Sequence, residues 1–160
     1  MTFYSDAGDD VEEYAMYSET GFDPNVSIGE TVSVPFREEG GVKFIPVSVN
    51  GVAFDMILDS GCSTALITVA EANYLYNKGR LTENDVLGAS KSTIADGSIV
   101  ENMVINLRQV VIGGKILCTD VQASVVENAH APLLLGNDVL DRVASYSINN
   151  QTKTIDFILK

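Results

Sequence analysis

Met56-Ile57-Leu58-Asp59-Ser60-Gly61-Cys62-Ser63-Thr64-Ala65-Leu66-Ile67 places a carboxylate directly behind a run of apolar residues. A continuous apolar run that ends at a polar turn reads as a strand buried on both faces. An acid delivered by such a strand is penalised unless it finds partners, so Asp59 needs a reason to be there. Ser60 offers a hydroxyl that fixes a tight backbone turn, and Gly61 lets a neighbouring chain or a ligand approach where a Cβ would clash. Taken alone, Asp59-Ser60-Gly61 also fits an ordinary turn, and its surroundings decide between the two readings.

Working upstream, Val52–Leu58 follows Asn50-Gly51, the strongest short hairpin signal, and Val42–Val49 before it has strand composition. Thr31–Val34 alternates polar and apolar residues, as a half-buried strand does. Downstream, Thr68 with Glu71 three residues on is a capping-box signature, opening a short amphipathic helix through Leu75 with Gly79 as its stop. Strand composition then dominates: Lys91–Ile94, a turn at Asp96-Gly97, Ser98–Leu107, Val110–Ile112, a Gly113-Gly114 turn and Ile116–Val126. Leu133-Leu134-Leu135 reads as a buried strand that breaks at Gly136 into a short helix. Asn149-Asn150 joins Ser145–Ile148 to Thr154–Ile158 in a last hairpin. Many short strands with one or two short helices predict an all-β domain, closed or sandwiched.

Composition narrows what such a domain does. The 160 residues fit one domain with a core large enough to need neither disulfide nor metal. Net charge is −12, and residues 1–30 hold eight of the 22 acids but none of the ten Lys and Arg. That stretch reads as an acidic mobile tail or propeptide, and residues 31–160 as the folded domain. No basic cluster exists to meet phosphates, so nucleic acid is not an expected partner. No apolar run approaches the ~20 residues of a membrane span, and the first residues lack the basic patch and apolar run of a secretory signal. The expectation is a cytoplasmic protein or the mature form of an exported one. Cys62 and Cys118 form no CxxC pair and have no histidines at ligand spacing, so both are expected to be reduced core thiols, with no metal site and no cofactor.

In this setting the chain resembles the retropepsin-like aspartic proteases, in particular their single-domain, bacterial-type members. Three stretches carry the resemblance, in the family's order. A hydrophobic strand delivers Asp59-Ser60-Gly61, with Cys62 where the family usually has Ala. Thr93-Ile94-Ala95-Asp96-Gly97-Ser98-Ile99 looks like the flap hairpin. Leu133-Leu134-Leu135-Gly136-Asn137-Asp138-Val139-Leu140 is similar to the family's apolar-apolar-Gly followed by a short helix, with Asn137 where retroviral relatives commonly carry Arg.

The resemblance implies an acid-protease fold of a single lobe, a retropepsin-like closed β-barrel. It implies Asp59 as the catalytic acid, Ser60 and Gly61 as supports of the catalytic loop, and Ile94, Ala95, Asp96, Gly97 and Ser98 as a flap over an extended peptide substrate. Gly136, Asn137 and Asp138 are expected to be structural. Peptide hydrolysis by this chemistry needs two acids, one as base and one as proton donor. The chain has only one Asp-Ser/Thr-Gly, so a homodimer is expected, with Asp59 and its twin across a two-fold axis. The alternative is a non-catalytic retropepsin-like module for dimerisation or peptide binding. The single histidine, His130, has no nucleophile elbow to serve and reads as a surface loop residue.

Overall fold

The computed structural model describes residues 29–88, 103–128 and 130–160. Asn50-Gly51 turns with both φ positive (48° and 88°), the geometry that joins two twisted strands by two residues. It pairs strand β3 (Val42–Val49) with β4 (Val52–Leu58) in antiparallel register, Ile45 opposite Met56 and Val49 opposite Val52. A second turn with two positive φ angles, Gly113-Gly114 followed by Lys115, joins β7 (Val104–Ile112) to β8 (Ile116–Val126).

Two short strands complete the barrel. β5 (Ala65–Thr68) runs parallel to β8, and β9 (Leu134–Leu135) lies between β4 and β5. β3 also pairs with β7, which closes the ring β3-β4-β9-β5-β8-β7 into a six-stranded barrel. Ile45, Val47 and Val49 of β3, Met56 of β4, Ala65 and Ile67 of β5, Ile105 and Leu107 of β7, and Val121, Ala123 and Val125 of β8 are buried in its core. The all-β expectation of a closed barrel with short helices is borne out.

Outside the ring, β2 (Arg37–Glu39) flanks β3 and β6 (Val86–Gly88) flanks β7. A separate sheet of three strands has the order β1 (Thr31–Pro35), β11 (Thr154–Leu159), β10 (Val143–Asn149). Gly29 and Glu30 already exchange backbone hydrogen bonds with Leu159, so this pairing begins just before β1. Helix α1 (Val69–Asn77) starts where its cap predicts, the Thr68 hydroxyl oxygen accepting from the Glu71 N–H, and it ends before Gly79 at φ +75°. Helix α2 (Asn137–Leu140) follows Gly136. Among the described residues, no helix is long and apolar enough to cross a membrane.

Several local expectations are corrected. β4 is not buried on both faces: Met56 is fully covered, but Ile57 and Leu58 are half-buried and Ala53 and Asp55 are exposed. Its apolar run marks a strand whose outer face this one chain leaves partly open. β7 is one strand rather than two: Gln109 pairs with Thr119 of β8 in the same register as Leu107 with Val121 and Val110 with Cys118, so the polar Arg108-Gln109 step interrupts the apolar pattern without ending the ladder. The last hairpin turns over Asn150–Lys153, with Lys153 at φ +59° and the Asn149 side chain accepting from the N–H groups of Gln151 and Thr152.

Candidate active site

Asp59 sits at the end of β4, half-buried, where the chain leaves the barrel wall for a six-residue excursion before re-entering as β5. β9 threads between those two strands. The Ile57 N–H donates to the Leu133 carbonyl and the Asp59 N–H to the Leu135 carbonyl, each at 2.9 Å. The loop then closes on itself. The Gly61 N–H donates to Asp59 Oδ1 at 2.8 Å and the Cys62 N–H to the Asp59 carbonyl at 3.1 Å. A Cβ on Gly61 would stand 3.1 Å from the same Oδ1, so a glycine lets this amide reach the carboxylate without crowding it.

The far side of the loop rests on the start of α2. The Asn137 N–H donates to the Cys62 carbonyl at 2.8 Å, the Asp138 N–H donates to the Ser63 carbonyl at 3.0 Å, and Asn137 Nδ2 donates to the Ser60 carbonyl at 2.9 Å. Gly136 lies directly under this seam: a Cβ there would come within 2.5 Å of both the Cys62 and Thr64 carbonyl oxygens. Backbone packed that closely admits only glycine. Asp138 faces the other way, its Oδ2 accepting from the Gln122 N–H at 3.2 Å and its Oδ1 from Arg142 at 3.2 Å. Arg142 extends the tie to the carbonyls of Thr119 and Asp120 on β8.

Asp59, Ser60, Gly61, Gly136, Asn137 and Asp138 therefore meet in one small region, although up to 79 positions separate them in the chain. The Ser60 hydroxyl is exposed and has no hydrogen-bond partner among the described residues. Ile94, Ala95, Asp96, Gly97 and Ser98, expected as the flap, lie outside the described residues. His130 is exposed, its N–H bound by the Asn128 side chain.

The expectation for the cysteines needs a partial correction. Cys118 is a buried core thiol, and burial pushes its ionisation up to about 11, with Arg142 pulling the other way. Cys62 is half-buried, because it rides on the loop beside Asp59 rather than on a strand facing the core. Among the described residues, no cluster of His, Cys, Asp and Glu has the makings of a metal site.

A gag-polyprotein putative aspartyl protease family matches residues 45–142, from β3 through the end of the Asp59–α2 seam. The chain belongs to that family. No curated protein sequence matches the chain. Among solved structures, a retropepsin-like aspartic protease from Rickettsia conorii superposes with a TM-score of 0.53 at 22% identity, over 80% of this chain and 89% of that one. The retroviral protease-like domain of Ddi1 from Leishmania major is similar at a TM-score of 0.48 and 16% identity, over 74% of this chain and 94% of that one. The first of these shows the fold to be retropepsin-like.

Sequence reasoning missed one constellation entirely. Asp85 is 4% exposed, on a 3-10 turn (Glu83–Asp85) that precedes β6. Its carboxylate accepts from Arg108 Nε at 3.1 Å and from the Thr82 N–H at 2.9 Å. Arg108 also donates to the Arg80 carbonyl, which takes Nδ2 of the buried Asn50 as well. This network pins the β3–β4 turn to the segment after α1.

Proposed function

We propose that the chain is an aspartic endopeptidase active as a homodimer, each copy giving one Asp59 to a catalytic dyad. The observation that carries this reading is the seat of Asp59. Its carboxylate is half-buried and, among the described residues, held by a single amide on one of its two oxygens. Two such carboxylates brought within hydrogen-bond distance would share one proton, so that one serves as base while the other serves as acid. The base would take a proton from water as its oxygen bonds to the peptide carbonyl carbon. A proton would then pass from the dyad to the leaving nitrogen as the C–N bond breaks, without a covalent enzyme intermediate. Ser60 and Gly61 would hold the loop, Ser60 with its exposed hydroxyl turned to the partner. Ile94–Ser98 would close over an extended peptide as an added strand does.

The three-stranded sheet supports the pairing of two copies. On its barrel-facing side, Val32, Phe157 and Tyr146 form one cross-strand row and Val34, Ile155 and Ile148 another. In both rows the first two residues are buried, whereas Tyr146 is 38% and Ile148 50% exposed. The apolar face thus runs past the barrel onto β10, whose outer edge is unpaired among the described residues. β10 reads Val-Ala-Ser-Tyr-Ser-Ile-Asn, with none of the charges or prolines that blunt exposed edges. A second copy of the chain is the occupant that would also supply the second Asp59.

The test is cleavage of an apolar peptide library by the wild type and by Asp59→Asn. The expected result is loss of cleavage by roughly a thousandfold with fold and association unchanged. Undiminished cleavage by the variant would place the chemistry elsewhere. A wild type that binds peptides and cuts none would favour the non-catalytic module.

A further inference from the structure

The peptide group between Ser60 and Gly61 has both its polar ends occupied. Its N–H is the donor to Asp59 Oδ1 at 2.8 Å, and its carbonyl is the acceptor of Asn137 Nδ2 at 2.9 Å. A trans peptide points these two ends in opposite directions, so the Asn137 amide, the peptide and the Asp59 carboxylate form one hydrogen-bonded row. We infer that Asn137 is a positioning residue for Asp59, acting through the Ser60–Gly61 peptide, and this inference rests on the proposed aspartic peptidase reading.

Two observations and one physical argument favour this role over simple packing at the start of a helix. Asn137 is itself fixed on both sides: its N–H donates to the Cys62 carbonyl at 2.8 Å, and its carbonyl accepts from the Asp141 N–H at 2.8 Å. Its side chain thus starts from an anchored backbone. The bond to Ser60 is the one side-chain hydrogen bond among the described residues that joins α2 to the Asp59 loop; the others across that seam are backbone to backbone. A donor at the carbonyl end of a peptide polarises it and strengthens its N–H as a donor at the other end. Without Asn137 the peptide plane loses the one side-chain restraint that the described residues give its carbonyl, and the amide that orients Oδ1 loosens with it.

The substitutions that separate the roles are Asn137→Ala and the near-isosteric Asn137→Asp. A carboxylate suits the start of a helix at least as well as an amide, so packing or helix initiation alone tolerates Asn137→Asp. It has no N–H to give the Ser60 carbonyl, so a positioning role does not. One measurement is independent of turnover: the Gly61 amide proton resonance in a 1H–15N spectrum of the full chain. It is expected to move upfield in both variants as its bond to Asp59 weakens. The second is steady-state cleavage, where kcat is expected to fall about five- to tenfold in both with KM within about twofold.

A Gly61 resonance unmoved in either variant overturns the inference whatever the kinetics do. So does a moved resonance with kcat unchanged. If the wild type shows no cleavage that Asp59→Asn removes, the proposed function falls instead, and the Gly61 resonance alone decides for or against the hydrogen-bonded row.

Discussion

Asp59 and Asp85 are both acids in short connections beside a barrel strand, and their surroundings could hardly differ more. Asp85 is 4% exposed and answered on all sides: Arg108 on one oxygen, the Thr82 N–H and hydroxyl on the other. Asp59 is half-buried and has one amide among the described residues. A carboxylate with both oxygens engaged within its own chain serves to fasten that chain. A carboxylate given one donor and a rigid loop is oriented but still free to engage something else. The loops differ in the same way, since the Asp85 segment is tied by side chains, whereas the Asp59 loop rests on backbone groups of β9 and α2, with the Asn137 side chain added at the Ser60 carbonyl.

That contrast predicts a double dissociation. Asp59→Asn is expected to remove hydrolysis, a loss of roughly a thousandfold worth about 4 kcal/mol of barrier, while the urea midpoint stays put. Asp85→Ala is expected to do the reverse. It strands the Thr82 N–H and frees Arg108, and since Arg108 is half-exposed and regains water, the cost in unfolding free energy is about 2 kcal/mol, with kcat intact. Should Asp85→Ala abolish cleavage in a chain that remains folded, the division between fastening and reacting acids is wrong. Between these two in size lies Gly136→Ala. It forces a Cβ to within 2.5 Å of two carbonyl oxygens, and a loss of about 3 kcal/mol is expected by chemical unfolding. A Gly136→Ala protein as stable as the wild type would mean that the seam beneath Asp59 yields easily.

The same contrast explains what the sequence could disclose. Asp59-Ser60-Gly61 was legible because its hydrogen bonds are local, the Gly61 N–H reaching back two residues. The Asn50-Gly51 and Gly113-Gly114 turns were legible because positive φ restricts residue choice. The Asp85–Arg108 pair spans 23 residues and the Asn137–Ser60 bond 77, and nothing near either residue announces its partner. β2 escaped notice because Arg37, Glu38 and Glu39 are all exposed and show no alternation. β5, four residues of apolar and Thr side chains, is too short for a period to emerge. β4 misled in the opposite sense, its apolar end promising a burial that Ile57 and Leu58 only half attain in one chain.

The two cysteines repeat the contrast at the smallest scale, one on the Asp59 loop and one in the fastened barrel. Cys62 is half-buried and is expected to react with iodoacetamide in the native protein at about pH 8, whereas Cys118, 3% exposed with its thiol pushed up to about 11, is expected to react only on unfolding. The raised value has a definite sign for stability. The native chain keeps the Cys118 proton where the unfolded chain, near the ordinary value of 9.0, has already lost it. The native state therefore binds more protons between about pH 9 and 11, and this contribution to stability is constant below that window and lost as pH climbs through it, by about 3 kcal/mol in all. Urea midpoints at pH 8 and 10.5 for the wild type and Cys118→Ala isolate the effect, the wild type being expected to lose more stability between the two. Equal losses in both proteins, or alkylation of native Cys118 as fast as Cys62, would show that β8 opens to solvent far more readily than a closed barrel wall should.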